Sequence, residues 1–246
     1  MSDLSERGKQ IRRDTIKLSK ANGGYHYGGS FSAVEILIAL FDHVMTEDDI
    51  FILSKGHACF PYYVLLREKG CNPKLEGHPT RDPHNAVEAS TGSLGHGFPI
   101  GVGRAMARKI KGVTGRVFVL MGDGECQEGT TWESMLIAAH HRLDNLTIII
   151  DWNGIQGSGN TNNILRIPFG RLGEIMELFS WGVEYMDGHD IKGLCDQLSN
   201  PHVNMPNLLI AHTTKGKGVS FMEGKPEWHA KWPNLKEEKQ ALEELA

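Results

Sequence analysis

Val117-Phe118-Val119-Leu120-Met121-Gly122-Asp123-Gly124 opens a segment that closes in Leu146-Thr147-Ile148-Ile149-Ile150-Asp151-Trp152-Asn153-Gly154-Ile155. Each string is a short apolar run that stops abruptly in polar, glycine-bearing residues. Between them, Glu128 to Leu143 has helix-forming composition, with Trp132, Met135, Leu136, Ala139 and Leu143 spaced to make one apolar face. The order is strand, helix, strand. Strands apolar throughout suit a parallel sheet covered on both faces, and ligands of such sheets bind beyond the carboxyl ends of the strands. There the two runs deliver oxygens: the Asp123 carboxylate, the Asn153 amide and a carbonyl at Ile155. Mg2+ takes such ligands, with one or two carboxylates completed by phosphate oxygens and water. The glycines beside Asp123 permit a tight turn and close approach of a phosphate. Alone, Gly-Asp-Gly is an ordinary turn. A second oxygen-rich turn, 153 − 123 = 30 residues on and one helix and one strand later, makes the pair a candidate metal and diphosphate site.

Composition sets the outer limits. A chain of 246 residues fits one large domain or two small ones, and 40% apolar with 23% charged residues is ordinary for a soluble fold. A formal net charge of −4 without a concentrated basic stripe argues against a nucleic-acid surface. No apolar run approaches the roughly 18 residues of a membrane span, and the charged N-terminus lacks an apolar secretion segment. Cys59, Cys71, Cys126 and Cys195 show no paired metal spacing and imply no oxidising compartment. A reduced, cytoplasmic protein is the expectation. Further apolar strands at Ile50–Leu53, Gly182–Tyr185 and Asn207–Ala211 alternate with helical patterns, which indicates an α/β fold. Ser5 to Lys20 reads as an amphipathic helix with a solvated basic face. A helix follows from about Ser32 to Val44, with Ser30 or Ser32 as its cap, and Asn234 to Ala246 reads as a solvated terminal helix.

Gly122-Asp123-Gly124 with Asn153 thirty residues on resembles the thiamine diphosphate motif. The fuller string Gly122-Asp123-Gly124-Glu125-Cys126-Gln127-Glu128-Gly129, with Trp132-Glu133 after it, is similar to the transketolases in particular, and the resemblance runs from about Ala21 to Pro233. It implies a mostly parallel sheet with helices on both faces, and one diphosphate-binding domain over residues 1–246. It implies thiamine diphosphate with Mg2+ (Ca2+ or Mn2+ as substitutes) held by Asp123, Asn153 and Ile155. By the same resemblance Gly122 and Gly124 flank the diphosphate, His57 in Ser54-Lys55-Gly56-His57 contacts it, and Gly92 and Leu94 line the aminopyrimidine. The resemblance also implies that His26 lies near the reacting carbons, that His78 contacts a substrate hydroxyl, and that Lys215-Gly216-Lys217-Gly218 and the downstream His229 close over the diphosphate, His229 bonding the phosphate and polarising the substrate carbonyl. Glu128, with Glu133, joins a carboxylate network between active sites at a subunit interface.

Read as residues alone, several of these are unremarkable. His57 suits a partly buried structural position, Lys55 a solvated or interface charge, and Glu128 and Glu133 helix N-terminal acids favoured by the dipole. Four positions depart from the family pattern: Gly24, Tyr25 and Tyr27 around His26, where the family shows serine, glycine and proline and where phenols would either narrow the pocket or offer hydrogen bonds, and His96, where glutamine is usual. Asp187-Gly188-His189-Asp190 reads as a turn and helix cap outside the site. The pyrimidine-binding half that transketolases carry is not found in these residues. The expectation is therefore the N-terminal subunit of a split transketolase, moving a two-carbon ketol unit between sugar phosphates. It would be active only with a separate C-terminal subunit, in an α2β2 assembly. Two alternatives remain at this level: the alpha subunit of a 2-oxo acid dehydrogenase, or a non-catalytic cofactor-binding homologue.

Overall fold

The structure, a computed structural model, describes residues 2–24, 26–167 and 169–246. The N-terminal third is helical: α1 (Ser2–Asn22), α2 (Tyr27–Ser32) and α3 (Val34–Ile38), extended by a wide turn over Ala39–Val44. β1 (Ile50–Leu53) and α4 (Cys59–Glu68) precede a long irregular stretch. Then come α5 (Gly97–Lys111), β2 (Val117–Gly122), α6 (Gly129–His140) and β3 (Leu146–Trp152). A small hairpin, β4 (Ile155–Gln156) and β5 (Gly159–Asn160), leads through α7 (Thr161–Ile164) and α8 (Phe169–Leu178) to β6 (Gly182–Asp187). The chain continues with α9 (Ile191–Ser199), β7 (Asn207–His212) and α10 (Leu235–Glu244).

The five long strands form one parallel sheet in the order β1-β2-β3-β7-β6. Side chains alternate across it, as strand geometry requires. Phe118, Leu120, Ile149 and Leu209 join the core shared with α3, α4 and α9. Val119, Met121, Ile148, Ile150 and Ile210 join the core shared with α5, α6 and α8. This two-sided burial is why the strands read as unbroken apolar runs. Gly101 lets α5 lie directly on β2, since a Cβ there would sit 2.4 Å from a Val119 methyl. Gly101→Ala is expected to lower unfolding free energy by about 1–3 kcal/mol, the usual range for an overpacked core, measurable by denaturant unfolding.

Some sequence readings change. Ser30 and Ser32 do not cap the helix after the glycine loop; the helix starts at Tyr27, with both serines buried inside it, and the Ser32 hydroxyl bonds the Gly29 carbonyl and Asp151. Leu136 is half exposed at 50%, with Ile137 at 46%, and Met135 and Ala138 carry the buried face of α6. The basic residues of α1 are not all solvated. Arg12 is 4% exposed and pairs in a fork with Glu35 at 2.6 and 2.8 Å. The terminal helix is anchored: Asn234 and Glu237 close a reciprocal cap, Ala241 and Leu245 are buried, and Glu244 accepts from Ser220. Among the described residues no helix is long and apolar enough to cross a membrane.

Candidate active site

The carboxyl ends of β1, β2 and β3 open into a cavity of about 250 Å³, lined by His26, Lys55, His57, His78, Gly92, Leu94, Gly122, Asp123, Gly124, Asn153, Ile155, Lys215 and His229 among others. In-register pairing of β2 with β3 sets Gly122 beside Asp151, so Asp123 and Asn153 leave the sheet at neighbouring tips. The turns are tied together: Asp123 accepts from the N–H of Gly124 at 2.8 Å and from that of Gly154. Asn153 Oδ1 accepts from Ile155 N at 3.1 Å. Among the described residues no group of three or more His, Cys, Asp or Glu could hold a metal. The donor set here is one carboxylate, one amide and one carbonyl, which suits a hard cation that also binds phosphate oxygens. The Lys215 ammonium, 2.9 Å from the Ile155 carbonyl, shows that this oxygen faces a cation. The residues fit Mg2+ with a diphosphate.

Two lysines line this cavity: Lys215, in the loop expected to close over the diphosphate, and Lys55, not expected as a site residue. Lys55, expected to be solvated, is 1% exposed, because the turn after β1 points inward; its ammonium meets Asp151 and donates to the Gly29 carbonyl at 2.9 Å. Asp151, 0% exposed, also accepts from Ser32, Thr213 and, at 3.2 Å, Asn153 Nδ2. Burial would raise its carboxyl, but Lys55 and the hydroxyls outweigh this and hold it below the usual range. Through Asp151 the buried pair orients the Asn153 amide. The sequence does carry a signal for it: a lone acid ending Ile148-Ile149-Ile150, and a lone base just past Ile50–Leu53, have opposite sign on strands of one sheet. Burial, reinforced by Asp151, pushes the Asp123 carboxyl up to about 6, and burial with the like charge of Lys55 brings the Lys215 ammonium down to about 8.

Four histidines face one another. Ring centroids of His26 lie 5.4, 5.9 and 5.5 Å from those of His57, His78 and His229, and His57 and His229 are 4.9 Å apart. Burial, then His78 and Lys215, brings His26 to about 4; burial and Lys215 bring His229 to about 3; burial and Lys55 hold His57 well below its ordinary value. These imidazoles are neutral near pH 7. Lys215 Nζ, a donor, is 3.2 Å from His229 Nδ1, which leaves the proton on Nε2. Gly29 is required by His57, whose Nε2 would lie 2.6 Å from a Cβ, and Gly92 by its φ of +147° against His78.

The depressed histidines fix a sign for acid stability. Below about pH 6.5 the unfolded chain binds protons on these imidazoles that the folded chain refuses, so stability falls with pH towards 4. Asp123 opposes this between 3.8 and about 6, and Glu125, also raised by burial, opposes it too, but two carboxyls stand against four imidazoles. The melting temperature should decline steadily from pH 6.5 to pH 4.5, and His57→Gln should flatten the decline.

The departures from the family pattern sort differently. Tyr27 does not narrow the cavity: it is 2% exposed, packed with Phe31, and its hydroxyl meets Ser19 at 2.7 Å. Tyr25 lies outside the described residues. His96 is exposed, with Nδ1 2.9 Å from the Leu94 carbonyl. Glu128 is not brought to the cavity; it precedes α6, with its side-chain carbons against Gly95, so a role there would run through a neighbouring subunit. His189, expected outside the site, touches its edge from without: it links Glu35 at 2.9 Å to the Thr214 amide at 2.8 Å, one residue before Lys215.

A parallel α/β domain whose strand tips converge on an oxygen-rich cavity with two buried lysines is, by class, a diphosphate-cofactor domain. Residues 7–244 match the family described as transketolase, thiamine diphosphate binding domain. The chain is 41% identical to one of the subunits of apulose-4-phosphate transketolase from Actinobacillus succinogenes, over 99% of this chain and 96% of that one. It is 37% identical to the subunit of the same name from Phocaeicola vulgatus, over 92% and 88%. The transketolase of Campylobacter jejuni superposes with a TM-score of 0.85 at 26% identity, over 99% of this chain but 43% of that one. The chain belongs to the transketolase family of thiamine diphosphate binding domains.

Proposed function

We propose that this chain binds the magnesium-diphosphate end of thiamine diphosphate in a two-chain transketolase that transfers a two-carbon ketol unit from a ketose phosphate to an aldose phosphate. The observation that carries the reading is the meeting of Asp123, Asn153 and Ile155 with Lys215, His57 and His229 around one cavity. Asp123, Asn153 Oδ1 and the Ile155 carbonyl would hold Mg2+ (Ca2+ or Mn2+ as substitutes), Gly122 and Gly124 giving the diphosphate room. Lys215 supplies positive charge to the phosphates, and neutral His57 and His229 supply hydrogen bonds without adding charge. Gly92 and Leu94 form the wall for the pyrimidine end.

When bound, the cofactor supplies a carbon nucleophile and an electron sink for breaking the ketose chain. His26, His78 and His229 sit where a sugar carbonyl and its neighbouring hydroxyls would lie. The His229 Nε2–H can donate to the oxygen that gains charge, and neutral His26 and His78 can each take a hydroxyl proton and return it. Leu94, at 45% exposure, flanks the open side where a second chain would close the cavity and exclude water.

The relatives named as transketolase subunits, each close to this chain in length, support a separate C-terminal, pyrimidine-binding partner. We place a second copy of this chain against α6, where Leu136, Ile137 and Glu133 are exposed and Glu128 begins the helix, giving α2β2. Four free cysteines accord with a cytoplasmic enzyme. The test is ketol transfer from a panel of ketose phosphates, apulose 4-phosphate included, by the purified chain with and without its co-purifying partner. Activity is expected with the partner; full activity without it refutes the two-chain reading.

A further inference from the structure

Glu125 is 1% exposed, sits in the cavity wall, and takes no part in the mechanism above. Its two oxygens are spent on three donors from three segments. Oε1 accepts from the Ser54 hydroxyl at 2.5 Å and from Gly95 N at 2.9 Å, and Oε2 accepts from Gly122 N at 2.8 Å. Ser54 follows β1 and leads to Lys55 and His57. Gly122 ends β2 and leads to Asp123. Gly95 belongs to the loop before α5 that presents Gly92 and Leu94. Gly97 gives Ser54 its place, since a Cβ there would lie 2.5 Å from the serine side chain.

We propose that Glu125 is a positioning residue that holds these three cavity walls in register, so that the diphosphate and pyrimidine contacts are set before the cofactor arrives. The chemistry is specific to an ionised carboxylate. All three partners are donors, and of the three only the Ser54 hydroxyl can turn round and accept. A glutamine of the same shape must aim its NH2 at Gly95 N–H or Gly122 N–H, releasing one wall. The wall it frees carries Leu94 in the first case and Asp123 in the second.

The inference rests on the reading of the cavity as a thiamine diphosphate site, and the experiment separates the two. Calorimetric titration with thiamine diphosphate in Mg2+ is run on the wild-type chain with its partner and on Glu125→Gln, Ser54→Ala and the double variant, with melting temperatures recorded. Glu125→Gln should weaken binding at least tenfold at a temperature where it is fully folded. Ser54→Ala should weaken it two- to fivefold, and the double variant should stay within twofold of Glu125→Gln, because both act through one carboxylate. A purely structural role would lower the melting temperature and leave affinity within twofold of wild type, which would overturn the proposal. Should Glu125→Gln not fold, Ser54→Ala decides: weaker binding supports the proposal and unchanged binding overturns it. A wild-type complex that fails to bind the cofactor overturns the reading of the cavity, and the proposal with it.

Discussion

Asp123→Ala is expected to abolish metal-dependent binding of thiamine diphosphate, with affinity in Mg2+ falling at least about a hundredfold, or roughly 3 kcal/mol. Asp123 is the one carboxylate in the proposed metal set, and its remaining partners are neutral oxygens. Its burial beside Asp151 keeps its carboxyl near 6, so the folded protein holds it ionised at neutral pH against an opposing environment. The sign for stability follows. A carboxyl whose folded value lies above its unfolded one disfavours folding once pH rises past both. Whatever Asp123→Asn loses by aiming its NH2 at the Gly124 or Gly154 N–H, its melting temperature relative to wild type should therefore rise as pH climbs from 4 to 7.5, while Mg2+-dependent cofactor binding is lost. This is the pattern of a group kept for function at the expense of stability. Calorimetry and thermal unfolding on the same samples check both halves, and unchanged affinity in Asp123→Ala would discredit the metal site.

Asp151→Ala should have the largest effect on folding. It leaves the Lys55 ammonium at 1% exposure without its carboxylate and frees Ser32, Thr213 and Asn153 from their shared acceptor. Removing one partner of a buried pair typically costs about 3–5 kcal/mol, whereas replacing both with apolar groups can be neutral. Lys55→Met with Asp151→Leu should thus recover the part of the stability that Asp151→Ala loses to the unpaired ammonium, but not the part lost at Ser32 and Thr213, as read by denaturant unfolding. It should not recover metal affinity, because nothing then holds the Asn153 amide. A double variant with wild-type Mg2+ and cofactor affinity would show that the pair has no part in shaping the site.

What can be read from the chain and what cannot divide along physical lines. The strands are legible because both sheet faces are covered, which writes each one as an unbroken apolar run. Their tips are legible because Asp123 and Asn153 end such runs. The four histidines come from the resemblance and face one cavity, but nothing in their spacing says that rings from four separate loops meet within 6 Å. Lys55 and Asp151 escape a local reading because a charge beside a turn is usually solvated; only the register of β1, β2 and β3 shows that these two turn inward and find each other. Glu125 is hidden inside the motif string itself, since its partners lie 71 and 30 residues away. Tyr27 misleads for the opposite reason: it neighbours His26 in sequence, yet its side chain is carried to the other side of α2. Local chemistry is readable, and long-range pairing is not.

The most direct test of the metal-diphosphate site is titration of the partnered wild-type protein with thiamine diphosphate and with thiamine, each in Mg2+ and in chelator. Saturable binding of the diphosphate form alone, and only with Mg2+, is the predicted result. Equal binding of thiamine, or binding that ignores the chelator, would contradict a grip exerted through Asp123, Asn153 and Ile155.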